Sequence, residues 1–169
     1  MEARPGEAYK RILLNLLVPM GDTLFATPAV RALRRSFPEA GVTALVSPAN
    51  LAVLENNPDV DRLIPFQASL RFFRELRAER YDLAVHFAPF HDYLGLLAGI
   101  PWHLSLPCPW LFWLLPHRNR RWRQLHARDH YLEVLRPLGL HAPRDQQLVL
   151  NVSGRQDAFA ERYLASNGH

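Results

Sequence analysis

Hydrophobic and polar positions along this chain follow two alternating patterns. Short uninterrupted apolar runs predict buried strands, whereas apolar residues that recur every three or four positions predict amphipathic helices. The clearest run is residues 12–18, which is apolar except for Asn15 and so predicts a central parallel strand covered on both faces. Pro19 and Gly21 end this strand, and a tight loop that carries Gly21 and Asp22 is expected to lead into the first helix.

The same alternation continues along the rest of the chain. It predicts further strands at residues 42–46, 62–65, 83–87, 102–106 and 148–152. It predicts further helices at residues 48–55, 70–79, 92–98, 128–136 and 155–165. Repeated strand–helix units imply a mostly parallel sheet with right-handed crossovers. The predicted fold class is therefore α/β and Rossmann-like, with helices on both faces of the sheet.

Size and composition suit one folded domain. The 169 residues, 49% of them hydrophobic, are enough to bury one core. The single cysteine excludes an intramolecular disulfide framework and any multi-cysteine zinc site. His126 and His130 have the spacing of two ligands on one helix face, but they lack the glutamate and third ligand of a zinc motif, so we expect no metal. The sequence shows neither a signal-peptide pattern nor an apolar run of about 18 residues, which predicts a cytoplasmic protein.

The charge balance predicts an anionic partner. The formal net charge is +4, and arginines cluster within residues 31–35 and 118–123. This balance suits a phosphorylated glycolipid, an anionic membrane or nucleic acid, or else a solvated basic face. Large aromatic and aliphatic residues at 110–115 adjoin the second cluster. They favour either contact with an anionic bilayer or packing on the sheet or on a second domain. The chain has no recognisable nucleic-acid-binding module, so we expect no nucleic acid partner.

Asp22 is the first candidate for a catalytic residue. It follows the first predicted strand at its carboxyl end, where open α/β sheets bind their ligands. Another interpretation is that Asp22 or Thr23 caps the first helix, and the two roles are compatible because a helix start favours an ionised carboxylate. Gly21 permits either close backbone approach or a positive φ angle. The loop matches neither the G-x-G-x-x-G pattern nor a Walker motif, so it does not indicate a dinucleotide or P-loop site.

Several motifs together resemble glycosyltransferase family 9, the bacterial heptosyltransferases of lipopolysaccharide assembly. In chain order they are Gly21-Asp22, Thr27-Pro28, the basic stretch 31–38, NNPDVDRLIPF at 56–66, YDLAV at 81–85 and HARDHYLEVLRPLGL at 126–140. No single motif is specific, but their combination spans nearly the whole chain in the right order.

The resemblance implies the GT-B arrangement, in which two Rossmann-like halves enclose a catalytic cleft. Residues 1–169 correspond to a single acceptor-side domain, the first half, and the sequence has no counterpart of the donor-binding C-terminal half. In the family, the aspartate at the position of Asp22 is the general base that takes a proton from the acceptor hydroxyl. The residues that we expect to contact the acceptor are Gly21, Thr23, Thr27, His91, Asp92 and His126. For Thr27 the alternative is core packing, for His91 and Asp92 it is an exposed polar position, and for His126 it is a cap-region or packing position.

The implied partners are a nucleotide-sugar donor, held by the second half, and a glycolipid acceptor, with no cofactor. The D-x-D sequence of Asp59-Val60-Asp61 is expected in a turn at the edge of the sheet opposite the cleft, which disfavours a metal-dependent mechanism. Residues 16–19 and 86–92 depart from the family's common form, which puts the identity of the acceptor in doubt. The alternative function is a non-catalytic half that binds an anionic glycolipid or pairs with a separate donor-binding chain.

Overall fold

A five-stranded parallel sheet forms the centre of the molecule. The computed structural model describes residues 9–87, 93–105, 127–140 and 147–166. The strands are β1 (Arg11–Leu16), β2 (Gly41–Val46), β3 (Arg62–Pro65), β4 (Leu83–His86) and β5 (Trp102–Ser105). Their order across the sheet is β3-β2-β1-β4-β5, and every pairing is parallel. The chain therefore builds the sheet outward from β1 in one direction, then returns to add β4 and β5 on the other side.

Helices cover both faces of this sheet. In the described part of the chain they are α1 (Met20–Phe25), α2 (Thr27–Ser36), α3 (Leu51–Leu54), α4 (Leu70–Ala78), α5 (Tyr93–Leu97), α6 (Ala127–Val134) and α7 (Gly154–Ser166). Successive side chains of a strand point to opposite faces. Ile12 and Leu14 of β1 accordingly pack with α2 and α6, whereas Leu13 packs with α4 and α5. The predicted Rossmann-like architecture is confirmed.

Gly21 and Asp22 lie inside a helix, which corrects the predicted loop. The chain enters α1 immediately after Pro19, and the helical run divides at Ala26 into α1 and α2. Pro28 causes this division because it has no N–H to donate to the carbonyl of Leu24, four residues earlier. The hydroxyl of Thr27 donates to that carbonyl instead, at 2.8 Å. The Thr-Pro pair thus changes the course of the helix without leaving a buried carbonyl unpaired.

The predicted strand at residues 148–152 is wrong. This segment is not part of the sheet, and polar groups within it pair with side chains instead. The N–H of Val149 donates to the hydroxyl of Thr27 at 2.9 Å. The side-chain amide of Asn151 donates to the carbonyl of Asn56 at 2.9 Å, and the amide of Asn56 donates to the carbonyl of Asn151 at 3.3 Å. These contacts hold the segment across the carboxyl edge of the sheet and lead it into α7.

Candidate functional site

The candidate site lies where β1 ends and α1 begins. After β1 the chain adds β2 and β3 on one side of the sheet, and later β4 and β5 on the other. The carboxyl ends of β1 and β4 therefore flank the point at which strand order reverses, which is where open α/β sheets place their ligands. Asp22 stands in the first turn of α1 beside this point, and its side chain is partly exposed.

Asn50 fixes the start of α1. Its side-chain amide donates to the carbonyl of Val18 at 2.6 Å and to the hydroxyl of Thr23 at 3.0 Å. The Thr23 hydroxyl in turn donates to the carbonyl of Pro19 at 3.2 Å. The N-cap position is Pro19, with no side-chain cap, so the expectation that Asp22 or Thr23 caps the helix is wrong. Thr23 is fully buried, and its hydroxyl anchors the turn that presents Asp22.

Gly21 leaves open space beside Asp22. Its φ angle is not positive, so the interpretation based on a left-handed backbone is wrong. A Cβ built on Gly21 would meet no atom of the described residues within 4 Å. The glycine therefore opens one side of α1 to close approach by a ligand, which was the other interpretation of this residue.

Tyr131 of α6 lies near Asp22 and was missed by sequence reasoning, which placed it only on the apolar face of its helix. Burial raises the pKa of Tyr131 far above its ordinary value, and the nearby Asp22 carboxylate raises it further. The ring is buried and packs edge to face against Phe87, with 5.6 Å between ring centroids. Buried tyrosine hydroxyls usually find a polar partner, which was the available sequence signal.

An apolar groove of about 480 Å³ borders α1 on the side that Gly21 leaves open. Its lining residues are Met20, Gly21, Leu24, Ala52, Val53, Leu150, Asn151, Val152 and Gln156. The polar side chains in this lining are already engaged, since Asn151 bonds to Asn56 and Gln156 accepts from Ser153. The groove therefore suits an apolar surface and offers little for recognising a sugar.

Of the other predicted site residues, Thr27 lies within the described part of the chain and three do not. Thr27 is fully buried, and its hydroxyl both donates to Leu24 and accepts from Val149, which favours the packing interpretation. His91, Asp92 and His126 lie outside the described residues, as does the aromatic and basic stretch 110–123. These acceptor contacts stay predictions.

Asp59 and Asp61 lie at the amino edge of the sheet, as predicted for the D-x-D sequence. Asp59 pairs with Arg31 at 3.7 Å, and Asp61 pairs with Arg34 and accepts from the N–H of Val42. Partial burial alone would raise the pKa of Asp61, but the hydrogen bonds from Val42 and Arg34 outweigh it and lower the pKa. Within the described stretches, His, Cys, Asp and Glu side chains form no group of three that could hold a metal ion.

A buried hydrogen-bonded chain crosses three strands beside the site. Asn15 Nδ2 lies 3.2 Å from His86 Nδ1, His86 Nε2 lies 3.1 Å from His103 Nδ1, and His103 Nε2 lies 2.7 Å from the carbonyl of Ile100. The carbonyl can only accept, so His103 carries its proton on Nε2. Its Nδ1 then accepts from His86 Nε2–H, and His86 Nδ1 accepts from Asn15. Leu17 N–H donates to Asn15 Oδ1 at 3.3 Å, which fixes the direction of the chain.

Comparison with known structures supports the predicted class of fold. No model of a known protein family matches the chain. Its structure superposes on the glycosyl transferase family 9 protein of Veillonella parvula with a TM-score of 0.81 and 24% identity, covering 96% of this chain and 50% of that one. It superposes on ADP-heptose lps heptosyltransferase II of Escherichia coli with a TM-score of 0.70 and 20% identity, covering 92% and 50%. The fold is that of one Rossmann-like half of a GT-B glycosyltransferase.

The sequence comparison points to the same relatives. The chain is 23% identical over 142 residues to lipopolysaccharide heptosyltransferase 3 of Escherichia coli strain K12, which covers 71% of this chain and 40% of that protein. The resemblance to glycosyltransferase family 9 is thereby confirmed, and this relationship supports a glycosyltransferase role. The chain spans about half the length of the solved structures that it matches.

Across the described ranges, every helix is too short or too polar to cross a bilayer.

Proposed function

We propose that this chain is the acceptor-side half of a glycosyltransferase that moves a sugar from a nucleotide donor to a glycan acceptor. The observation that carries the proposal is Asp22, a partly exposed carboxylate beside the strand-order reversal of a fold shared with family 9. Thr23 and Asn50 hold the turn that bears it, so the carboxylate stands on a rigid support. Pre-positioned groups of this kind are what general base catalysis requires.

In the proposed reaction Asp22 accepts the proton of the attacking acceptor hydroxyl. As this oxygen bonds to the anomeric carbon of the donor sugar, the bond from that carbon to the diphosphate breaks. Its electron pair leaves with the diphosphate oxygen. Direct displacement of this kind inverts the anomeric centre. A sugar hydroxyl is a weak nucleophile, and a carboxylate within hydrogen-bond reach of it lowers the barrier as the C–O bond forms.

The donor is proposed to bind a second half, either continuous with this chain or supplied by a separate one. One structural neighbour is named for ADP-heptose, which favours heptose carried on ADP as the donor. The surface beside Gly21 suits such a neighbour. Met20, Leu150, Val152 and Phe159 are apolar and each more than half exposed. A second domain that packed over them would exclude water from the cleft.

The acceptor is proposed to be a lipopolysaccharide-type glycolipid at the cytoplasmic face of the membrane. The net charge of +4 and the arginines within residues 118–123 favour an anionic surface. Such a location would bring the base to the headgroup of a lipid-anchored acceptor. The second candidate function, glycolipid binding without transfer, is favoured only by the same charge balance and does not use the position of Asp22.

Residues 1–169 alone are expected to transfer no sugar. The reason is that donor recognition is assigned to a half that this sequence does not contain. Transfer is measured with ADP-heptose and a lipopolysaccharide acceptor, for this chain and for a protein in which it is followed by a donor-binding half. Only the longer protein should rise above background. Turnover by the 169-residue chain would contradict the proposal that the donor binds to a second half.

A further inference from the structure

We infer that the outer surface of α4 and α5 docks on an anionic membrane. It consists of exposed side chains on two helices that cover the same face of the sheet, namely Leu70, Arg71, Arg74, Arg77, Leu96 and Leu97, and is called the α4–α5 surface below. The inference deepens the proposed function and rests on it for the choice of partner, because a lipid-anchored acceptor is reached from a bilayer. Its test requires no sugar transfer.

Leu70 is held in solvent by a well-supported helix start. It is 85% exposed, the most exposed large apolar side chain in the described part of the chain. The hydroxyl of Ser69 accepts from Phe72 N–H at 3.1 Å, which caps α4 directly before Leu70. The ring of Phe72 is buried and meets Phe66 edge to face, with 5.6 Å between ring centroids. The exposure of Leu70 is therefore a feature of an anchored helix and not of a frayed end.

Arginines follow Leu70 along the exposed side of α4. Residues four and seven positions apart lie on one side of a helix, which places Arg74 and Arg77 in line with Leu70. Arg71 is also exposed, in the same turn as Leu70. Glu75 pairs with Arg71 at 2.7 Å, so it offsets one positive charge and leaves those of Arg74 and Arg77. This side of α4 thus combines an exposed apolar residue with excess positive charge, which complements anionic headgroups.

α5 extends the surface beside α4. Both helices follow strands at the carboxyl edge of the sheet, and their buried residues share one core cluster. They meet where the guanidinium carbon of Arg77 lies 3.5 Å from a Cβ built on Gly99, just past the end of α5. Counting three residues back from this contact along each helix, at about 1.5 Å per residue, puts Leu96 level with Arg74. Leu96 and Leu97, 43% and 52% exposed, therefore adjoin the arginines of α4.

The α4–α5 surface begins at the edge of the sheet that carries the candidate site. Leu70 opens α4 at the carboxyl edge, and Asp22 lies in the first turn of α1 at the same edge. Phe25 of α1 packs with the core on the opposite face of the sheet, so a membrane on the α4–α5 surface would leave α1 uncovered. A sugar anchored in that membrane would approach Asp22 across the carboxyl edge while the protein stays attached.

Vesicle co-sedimentation of residues 1–169 tests the partner. Vesicles that contain phosphatidylglycerol should bind the protein about tenfold or more tightly than vesicles of phosphatidylcholine alone, and added salt should weaken this binding. Arg71→Gln combined with Arg74→Gln should weaken it about tenfold or more, because each arginine near an anionic surface contributes about fivefold. Arg155→Gln combined with Arg162→Gln removes the same charge from exposed positions on α7 and should change binding by about twofold at most.

A fluorophore attached to a single cysteine tests the position of the membrane. In the Cys108→Ser background, Leu70→Cys carries an environment-sensitive label, and Leu164→Cys on α7, at a residue 48% exposed, is the matched control. Phosphatidylglycerol vesicles should shift the emission of the label at position 70 to shorter wavelength and leave that of the control unchanged. Both positions are exposed, so both variants should keep the urea midpoint of the unmodified protein.

Equal binding to the two kinds of vesicle would overturn the inference, as would equal weakening by the α4 and α7 pairs of arginine substitutions. Vesicle binding without a response from the label at position 70 would put the membrane on another surface and would overturn it too. These results are separate from the assignment of the base. Asp22→Asn should bind vesicles like the unmodified protein, so a loss of transfer in that variant supports the proposed function whatever the vesicles show.

Discussion

Replacing Asp22 with asparagine is expected to lower the kcat of the two-domain enzyme by on the order of 100-fold or more, with little change in stability. Asparagine has nearly the same shape as aspartate, and Asp22 is partly exposed, so the packing around it should not change. It cannot take up the proton of the acceptor hydroxyl. The measurement is transfer at saturating donor and acceptor, together with urea unfolding of both proteins.

Asp59→Asn provides the matched control for this prediction. Asp59 is another carboxylate, but it pairs with Arg31 at the amino edge of the sheet. Its replacement removes one negative charge without touching the carboxyl edge, so kcat should stay close to that of the unmodified enzyme. A near-normal kcat in Asp22→Asn would mean that Asp22 is not the base.

Gly95→Ala is expected to destabilise the chain by about 1–3 kcal/mol, because the added methyl group overfills the core. A Cβ at this position would lie 2.4 Å from His103 Cε1 and 3.0 Å from His86 Nε2. The two imidazoles cannot move apart without breaking the hydrogen bonds that join them to each other and to Asn15 and Ile100. Urea unfolding followed by circular dichroism measures the loss as a lower midpoint.

Gly21→Ala is the matched control for Gly95→Ala. Gly21 is also helical, so both substitutions gain a similar helix propensity, and what differs is the space around the new Cβ. At Gly21 the described residues leave that space open, so the free energy of unfolding should rise by about 0.4–1 kcal/mol. Equal midpoints for the two variants would mean that the histidines do not fill the space beside Gly95.

The sheet was predictable because each of its strands carries its own signal. Residues 12–18, 42–46 and 83–87 are short apolar runs bounded by polar or turn residues, and runs of this kind are buried whatever packs on them. Residues 148–152 carry a similar pattern, but whether a segment forms a strand depends on backbone partners that come from elsewhere in the chain. Thr27 and Asn56 supply side-chain partners there, and a local pattern cannot report on contacts of this range.

The candidate site was predictable only in part, for a related reason. The position of Asp22 followed from the end of the first strand, and its proposed role from the family resemblance. The proximity of Tyr131 to Asp22 could not be predicted, because the helix periodicity of α6 shows which side faces the core but not which residues that side meets. His86 and His103 likewise lie in apolar strands, and nothing local indicates that they bond to each other or that His86 also bonds to Asn15.

The central claim is that this chain binds the acceptor and not the donor, and it is tested most directly by amide NMR on 15N-labelled residues 1–169. One titration uses deacylated lipopolysaccharide core oligosaccharide, and the other uses ADP-heptose. The oligosaccharide should shift the amide signals of Gly21, Asp22 and Thr23 in a saturable way, while ADP-heptose leaves them unchanged. Saturable shifts with ADP-heptose, and none around Asp22 with the oligosaccharide, would contradict the account.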